Sequence, residues 1–483
     1  QGRPLDVARD KPNIVILYAD DLGLGDLGCY NDKSKIPTPN LDKLAAGGAM
    51  FLDGHSSSGI CTPSRYALLT GRHHWRDFHG IVGAMGESVF KPERLTMPEM
   101  LKDNGYTTAC IGKWHLGWDW NAIRTPGKKG NGPDAFDWSK KIPDGPLAHG
   151  FDHYFGDTVI NFPPYAWIED DKMAQIPDTM MDTKTWPKIK EGSWECRPGP
   201  MVTGWNPYEV LPTLGDKAVA YVESRKDKDE PFFLYFAYPS PHAPIIPNDE
   251  FDGKSGAGPY GDFVVESDHI AGRILDALDK AGLSENTIVV FTADNGPEHY
   301  AYARDAKFDH WSADPLRGLK RDIYEGGHRV PFIMRWPGVI KPGQTKDALV
   351  SQIDLYATFA SHLGFKLPGD AAEDSHDLLD YLQSKTQSVR TTHVHNTFKH
   401  SWAVRDGDWL LIDAKTGGHN KRGAAEWEKR NGYENDDLPV ELYNLKDDLA
   451  QRHNLAQANP DKVKALQALL KKIQDDGRTR PER

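Results

Sequence analysis

The sequence predicts an α/β protein built on a mainly parallel sheet, followed by a smaller domain. Over the first three quarters of the 483 residues, short apolar runs alternate with helical patterns, which is typical of parallel strands joined by crossover helices. Several of these runs end directly in polar residues that can do chemistry, as strands do when they open onto a ligand cleft. A chain of this length can bury one large core and a smaller second one.

Two predicted strands end in acidic or amide residues. "NIVILYADD" stops at Asp20 and Asp21, and "TIVVFTADNG" stops at Asp294 and Asn295. Because the carboxyl ends of parallel strands share one edge of a sheet, we expect these side chains to face a common cleft. One such pair alone would mean little, since Asp and Asn are common turn residues. Gathered together, these hard oxygen donors suit Ca²⁺ or Mg²⁺, and Ca²⁺ better tolerates ligands from separate loops.

Two further predicted strands lead to basic residues. "TTACIGKWH" runs out to Lys113 and His115, and "PFFLYFAYPSPH" runs out to His242. By residue type alone these are weak signals, because a lysine is usually a solvated charge and a histidine after Pro-Ser-Pro can simply cap a loop. Helices are predicted between the strands. Thr96 and Glu99 form a capping box before "PEMLKDNG", and "SDHIAGRILDALDKAG" has helical spacing with a glycine stop.

The stretch "GICTPSRYALLTGR" places Cys61 at the entrance of a predicted helix. Pro63 suits the first turn, and the helix N-terminus together with Arg65 favours an anion there. On these grounds Cys61 is either a nucleophilic thiolate of low pKa or a buried structural cysteine. The chain has four cysteines, too few for a disulfide scaffold, although one pair could be bridged.

Taken together, the motifs resemble the type I, formylglycine-dependent sulfatases of the alkaline-phosphatase-like superfamily, which include bacterial carbohydrate sulfatases and arylsulfatases. "CTPSR" followed by "ALLTGR" is similar to the family signature. "GYTTACIGKWHLG", "PSPHAP", "TADNG" and "GLKRDIYEGGHRVPFIMRWPG" follow in the family's order, and the resemblance covers nearly the whole chain. It implies an alkaline-phosphatase-like large domain with a central mainly parallel sheet flanked by helices. It also implies a smaller C-terminal α/β domain with an antiparallel sheet.

The resemblance further implies the roles of the site residues. In this family the cysteine is oxidised to formylglycine (3-oxoalanine), whose hydrate offers one hydroxyl to attack sulfur and a second to expel sulfate. The implied Ca²⁺ ligands are Asp20, Asp21, Cys61, Asp294 and Asn295. The implied catalytic residues are Cys61, Arg65, Lys113, His115, His242 and Lys320. Among these, His115 would take a proton from the second hydroxyl, and either His242 or Lys320 would protonate the leaving oxygen.

Between residues 118 and 207 the periodicity fades and tryptophans accumulate, with seven of the 14 falling there. A loop region this long is usually functional or disordered, and aromatic residues argue against disorder. Because Trp118 and Trp120 follow His115 closely, we expect them to contact the substrate. The alternative is that the tryptophans pin the loops to the body of the protein.

The sequence divides into a catalytic domain, 1–370, and a small domain, 371–483. In the small domain, "SWAVRDGDWLLI" predicts two strands around an Asp-Gly turn, and "DKVKALQALLKKI" predicts a helix with one apolar face. His393 and His395 lie two residues apart and so share one side of an extended segment. We expect them to contact the substrate. A metal pair is the alternative, but the sequence shows no third ligand.

The leading hypothesis is hydrolysis of a sulfate monoester, exo-acting on a saccharide. The alternatives are a phosphomonoester or phosphonate ester hydrolase of the same superfamily, or a non-catalytic sulfated-glycan-binding protein. A net charge of −12 argues against nucleic acid as a partner, and no apolar run is long enough to span a membrane. The chain begins at Gln1 without a signal segment, so we expect a processed periplasmic or secreted protein. The expected partners are a sulfated oligosaccharide and a formylglycine-generating or sulfatase-maturating enzyme.

Overall fold

The structure, a computed structural model, describes residues 11–481. In the large sheet and beside it, the strands are β1 (Asn13–Ala19), β2 (Ala49–Phe51), β3 (Gly54–His55), β4 (Thr107–Gly112), β5 (His153–Gly156), β6 (Ile168–Glu169), β7 (Lys172–Met173), β8 (Thr179–Met180), β9 (Pro200–Met201), β10 (Phe232–Ala237), β11 (Thr287–Ala293), β12 (Phe332–Arg335), β13 (Gln344–Lys346) and β14 (Val350–Ser351). The later strands are β15 (Thr392–Asn396), β16 (Trp402–Asp406), β17 (Trp409–Ile412) and β18 (Glu441–Asn444).

The α-helices lie between and after these strands. They are α1 (Pro39–Ala46), α2 (Cys61–Thr70), α3 (Met97–Asp103), α4 (Val210–Ser224), α5 (Gly258–Lys280), α6 (Tyr300–Phe308), α7 (Glu325–His328), α8 (Asp354–His362), α9 (Leu379–Leu382), α10 (Ala424–Arg430) and α11 (Pro460–Asp475). None of them is long and apolar enough to cross a membrane, among the residues described.

A ten-stranded sheet forms the centre, in the order β13-β2-β12-β11-β1-β10-β4-β5-β6-β7. Its five middle strands, from β11 to β5, are parallel, whereas β12 runs antiparallel beside β11. In register, Leu17 of β1 lies opposite Phe236 of β10 and Phe291 of β11. The carboxyl ends of these strands therefore meet at one edge. The predicted mainly parallel sheet is confirmed.

Both faces of the sheet are covered by helices, which explains why the central strands read as continuous apolar runs. In β1, Ile14 and Ile16 pack into the core on one face, with α2, α3 and α8. Val15 and Leu17 pack into the core on the other face, with α1, α4 and α5. The capping box also forms as predicted, since Glu99 accepts a hydrogen bond from the Thr96 backbone N–H at 2.7 Å.

The tryptophan-rich segment after His115 is part of the main body. Its strand β5 pairs with β4 and so extends the central sheet. Trp118, Trp120 and Trp138 are buried in the same core as Ile14 and Ile16 of β1. A Cβ placed on Gly145 would lie 2.1 Å from the Trp118 ring, so the loop backbone packs directly on this indole. These contacts favour the pinning role for the tryptophans.

The predicted small antiparallel sheet is also confirmed. It has the order β15-β16-β17-β18, and α11 packs on it through Leu466, Leu470 and Ile473. Residues 371–382, which the prediction assigned to the small domain, pack with the large sheet, because Ala372 and Leu378 are buried in its core. The domain boundary at residue 370 therefore stays a prediction. All four cysteines are free thiols.

Candidate active site

The acidic strand ends meet at the carboxyl edge of the sheet, as the sequence predicts. Asp20 and Asp21 follow β1, while Asp294 and Asn295 follow the neighbouring β11. The Asp21 backbone N–H donates to Asp294 Oδ1 at 3.2 Å, and Asn295 Nδ2 donates to Asp21 Oδ1 at 2.7 Å. All four side chains are fully buried. Three carboxylates are thus held close together without solvent to screen them.

Each carboxylate is paired with one buried cation. The closest contacts are Lys113 Nζ to Asp20 Oδ2 at 2.6 Å, Lys320 Nζ to Asp21 Oδ1 at 2.7 Å, and Arg65 Nη2 to Asp294 Oδ2 at 2.8 Å. Burial disfavours the Lys320 ammonium, but Asp21 outweighs it and raises the pKa of Lys320 well above its usual range. The three pairs balance in charge. They therefore leave no net positive charge to receive an anionic group.

Cys61 is the first residue of α2 and is only 3% exposed. Its Sγ lies 3.7 Å from Asp20 Oδ1. Burial, and then the charge of Asp294, raises the pKa of the Cys61 thiol to about 12, although Lys113 and Lys320 oppose the rise. This corrects the alternative of a low-pKa thiolate, since the thiol stays protonated at neutral pH. Helix position and an arginine one turn on do not offset burial beside two carboxylates.

His115 is oriented as a proton acceptor. Its Nε2 lies 2.9 Å from the Val82 carbonyl oxygen, which can only accept, so Nε2 carries the hydrogen and Nδ1 carries the lone pair. That Nδ1 is buried and has no hydrogen-bond partner among the described residues. Burial, reinforced by Lys113, lowers the pKa of His115 well below its usual range. The ring is therefore a neutral base.

His242 lies at the same edge, and its Nδ1 donates to the Ala243 carbonyl oxygen. Its Nε2 is 3.7 Å from Asp21 Oδ2. Burial, and then the charge of Lys320, lowers the pKa of His242 to about 3. Of the two candidates for protonating a leaving oxygen, Lys320 keeps its proton at neutral pH and His242 does not.

The donor set at this edge fits a hard cation. Asp20, Asp21, Cys61 and His242 each offer a ligand atom within 4.8 Å of the others. Asn295 adds a second observation, because its Oδ1 is buried without a hydrogen-bond partner in the described part of the chain. An amide oxygen left this way is costly unless a cation or water meets it. Carboxylate and amide oxygens favour Ca²⁺ or Mg²⁺ over softer metals.

A family model for sulfatases matches residues 12–365. The chain belongs to the sulfatase family. A second model, for the C-terminal part of N-sulphoglucosamine sulphohydrolase, matches residues 319–414.

Individual relatives of this sulfatase agree with the family match. An N-acetylgalactosamine-6-O-sulfatase of Bacteroides thetaiotaomicron is 33% identical over 96% of this chain and 93% of its own length. An N-acetylgalactosamine-6-sulfatase of Rattus norvegicus is 36% identical, and the match spans 77% of this chain and 66% of that protein. A Bacteroides thetaiotaomicron structure from work on the metabolism of multiple glycosaminoglycans superposes with a TM-score of 0.81 at 32% identity. That superposition covers 97% of this chain and 100% of the other.

The residues predicted to contact substrate lie elsewhere than expected. His393 and His395 are 2% and 0% exposed, in a cluster of buried histidines. Both rings stack within that cluster, His395 on His328 and His393 on His395, and their contact with substrate stays a prediction. Trp118 and Trp120 line a cavity beside His115 of about 20 Å³, which is room for one water and not for a sugar ring. The structure thus gives these tryptophans a packing role next to the site.

The sequence did not point to two polar residues that lie beside Lys320 and Lys113. Glu298 accepts from Arg321 Nη2 at 2.8 Å and lies 3.8 Å from Lys320 Nζ. Asp157 is buried near Lys113, and burial raises its pKa to about 7. Only position in the sequence could have indicated Glu298. It lies two residues after "TADNG", and its partner Arg321 directly follows Lys320. Nothing in the sequence around Asp157 marks it.

Proposed function

We propose that this sulfatase removes a sulfate group from a sulfated saccharide, with residue 61 as formylglycine and one Ca²⁺ ion. The observation that carries the proposal is the position of Cys61, with its Sγ 3.7 Å from Asp20 Oδ1 among buried ion pairs. The proposed Ca²⁺ ligands are Asp20, Asp21, Asp294 and Asn295, with residue 61. Because the buried charges at this edge balance, a divalent ion would supply the positive charge that an anionic ester needs.

The side chains around residue 61 have distinct proposed roles. As a hydrated aldehyde, residue 61 would supply one hydroxyl to attack sulfur and another to release sulfate. Lys113 and Lys320 hydrogen-bond the anionic oxygens of the ester. Arg65 is fixed by Asp294 through Nε at 3.1 Å and Nη2 at 2.8 Å, so it orients the first turn of α2. His115 accepts a proton at Nδ1, and Lys320 is the preferred donor to the leaving oxygen.

For the substrate we propose a 6-O-sulfated N-acetylgalactosamine at the end of a short oligosaccharide. Support comes from relatives named for that sugar, one of them matched over nearly its whole length. Exo action is supported by the burial of the proposed site residues, among them Asp20, Cys61 and Lys320. A terminal residue can enter so deep a site more easily than the middle of a polymer. This support does not depend on the substrate contacts expected of Trp118, Trp120, His393 and His395.

Two further features belong to the proposal. Formylglycine requires a maturating enzyme as a partner, and sulfated glycans outside the cell would place the mature protein in the periplasm or the medium. The rival phosphomonoester or phosphonate hydrolase and the non-catalytic glycan binder predict different outcomes. The former would prefer phosphate or phosphonate esters, and the latter would bind a sulfated glycan without releasing sulfate.

The test is a rate comparison on defined substrates with protein whose residue 61 is shown by mass spectrometry to be formylglycine. The panel contains N-acetylgalactosamine sulfated at O4 or O6, N-acetylglucosamine sulfated at O6, an aryl sulfate and matched phosphate esters. We expect the 6-sulfated N-acetylgalactosamine to have the highest kcat/KM, and Cys61→Ser to abolish turnover. Preference for another sulfated sugar would overturn the substrate assignment alone. Faster phosphate hydrolysis, or full activity with an unmodified thiol, would overturn the mechanism.

A further inference from the structure

A second cluster of metal-capable side chains lies apart from the strand ends that build the active site. His55 ends β3, His328 ends α7, and His395 belongs to β15 of the C-terminal sheet. All three side chains are fully buried, and each offers a ring nitrogen within 4.8 Å of the other two. Three chain segments far apart in sequence thus bring three imidazoles to one point.

Hydrogen bonds fix the tautomers of two of these rings. His55 Nε2 lies 2.6 Å from Asp53 Oδ1, and Asp53 also accepts from Arg405 at 2.7 Å, so it is an ionised acceptor. His328 Nε2 lies 3.3 Å from the Ile323 carbonyl oxygen. Both Nε2 atoms therefore carry hydrogen, and both Nδ1 atoms carry lone pairs.

Those two lone-pair nitrogens face each other, with His55 Nδ1 only 3.0 Å from His328 Nδ1. Two such nitrogens repel unless a positive charge lies between them. Zn²⁺ with Zn–N bonds of about 2.0–2.1 Å and tetrahedral angles would hold them about 3.3 Å apart. The observed separation is close to that value.

The third ring, His395, has no hydrogen-bond partner at either nitrogen among residues 11–481. It is stacked on His328, with the ring centroids 3.5 Å apart. Because neither nitrogen is engaged, turning this ring toward the other two breaks no hydrogen bond. The neighbouring His393 is also buried, has no hydrogen-bond partner in the described part of the chain, and stacks on His395 with the ring centroids 4.2 Å apart.

We propose that His55, His328 and His395 form a second metal site, which binds a borderline transition-metal ion such as Zn²⁺. Neutral imidazoles are ligands for Zn²⁺, Cu²⁺ and Ni²⁺ and poor ligands for Ca²⁺. The carboxylate behind a ligating histidine, here Asp53 behind His55, is a common arrangement around zinc because it fixes the ring and increases its basicity. Glu325 adds negative charge, with Oε2 3.8 Å from His55 Nε2. Water or His393 would complete the coordination.

The position of the site gives it a structural role. His55 opens the loop that reaches Cys61, and this loop also binds the end of β15, since Ser58 Oγ donates to the Asn396 carbonyl oxygen at 2.8 Å. An ion shared by His55 and His395 would fasten the C-terminal sheet to the loop that delivers the nucleophile. It would act on stability and on the placement of residue 61 without touching substrate.

The test measures metal content in the full chain. Protein is produced in medium supplemented with Zn²⁺ or with Co²⁺, purified in Ca²⁺ buffer over a chelating resin, and analysed by inductively coupled plasma mass spectrometry. We expect about one transition-metal ion per chain, visible d–d absorption of the Co²⁺ form, and a lower Tm after the ion is removed. Ca²⁺ kept in excess protects the oxygen-rich site from the added metals.

His395→Phe is the informative variant because it keeps a ring stacked on His328 and removes both nitrogens. His74→Phe is the matched control, since His74 is also a fully buried histidine but lies outside the three-histidine set. We expect the first variant to lose the ion and the second to retain it. If His395→Phe does not fold, X-ray absorption at the zinc edge of the wild type decides. Imidazole nitrogens at about 2.0 Å from the zinc ion would support the site. A coordination shell made only of oxygen atoms would overturn it.

Two further results would overturn the proposal. One is wild-type protein that contains no transition metal after growth in either medium. The positive charge between His55 Nδ1 and His328 Nδ1 would then be a shared proton. The other is equal metal content in wild type and His395→Phe, which would place the ion elsewhere.

Discussion

Asn295 carries one buried oxygen that no described group satisfies, and a single substitution can test what it is for. In Asn295→Ala this oxygen is removed, and with it the hydrogen bond from Nδ2 to Asp21 Oδ1 at 2.7 Å. We expect Ca²⁺ affinity to fall by at least the roughly 10–100-fold that follows loss of an outer-shell partner. Calorimetric titration of Ca²⁺ into stripped protein measures it.

Asn295→Asp is the control, because it restores an oxygen donor while adding a fourth carboxylate. We expect it to bind Ca²⁺ far better than Asn295→Ala, and to be less stable than wild type when no ion is present. Unchanged affinity in Asn295→Ala would remove Asn295 from the ligand set.

A substitution at Asp294 is a less informative test of the Ca²⁺ site, although the sequence suggested its carboxylate as a ligand more directly than the Asn295 amide. Arg65 is buried and makes both of its closest ion-pair contacts with Asp294, at 3.1 and 2.8 Å. Breaking a buried pair by removing one partner costs about 3–5 kcal/mol. Asp294→Ala should therefore lose stability, Ca²⁺ and activity together, which a melting curve beside the titration would show.

Among the elements, the segment around Trp118 joins the site to the core. Trp118 is buried against Tyr154 and Trp120. We expect Trp118→Ala to cost about 3–5 kcal/mol of stability, and to lower kcat/KM on a sulfated saccharide and on an aryl sulfate by similar factors. Trp118→Phe should lose much less of both. A loss confined to the saccharide, with an unchanged Tm, would mean that the indole contacts the sugar.

Strand β18 carries a carboxyl group that makes stability depend on pH. Glu441 accepts from Tyr324 Oη at 2.9 Å and from the Gly417 backbone N–H at 3.0 Å. Burial nevertheless raises its pKa from 4.5 to about 7. The folded chain then binds a proton that the unfolded chain has already lost. The contribution of Glu441 to stability is therefore greatest below pH 4.5 and falls as pH rises toward 7.

Glu441→Gln removes this dependence and keeps both hydrogen bonds, because the amide oxygen accepts from Gly417 and the amide nitrogen donates to Tyr324. Relative to wild type, the variant should gain up to about 3 kcal/mol between pH 4.5 and 7 and no more above 7. Paired melting curves across that range measure the difference. A constant difference at every pH would show that Glu441 is ionised throughout.

The elements that sequence predicts well are those whose pattern is local. β1 and β11 are continuous apolar runs, and the capping box of α3 is contained in four residues. Two-residue strands such as β6 and β7 have no such pattern. For His393 and His395, alternation along a strand correctly placed both rings on one side of β15. Which way that side faces depends on how β15 packs against His55 and His328, more than 60 residues away, so sequence spacing could not show it.

For the whole molecule, the net charge of −12 opposes the approach of polyanions. The positive side chains of the site are buried and already paired, so they attract little from a distance. We expect kcat/KM on an intact sulfated polysaccharide to be lower than on an oligosaccharide derived from it. The ratio of these two kcat/KM values should move toward unity as salt is raised to about 0.15 M and beyond. Rates measured at several salt concentrations test this. Faster hydrolysis of the polymer at low salt would contradict both the repulsion and exo action.

The burial of Cys61 also bears on the order of events during biosynthesis. At 3% exposure, at the start of a helix whose residues are all buried, the thiol is out of reach of another enzyme's active site once α2 has packed. If residue 61 becomes formylglycine, as we propose, its oxidation precedes folding, while "CTPSR" is still an extended peptide. Under that proposal, folded, unmodified protein given a sulfatase-maturating enzyme should remain inactive, whereas the unfolded chain given the same enzyme and then refolded should gain activity. The competition between packing and oxidation would set the active fraction of every preparation.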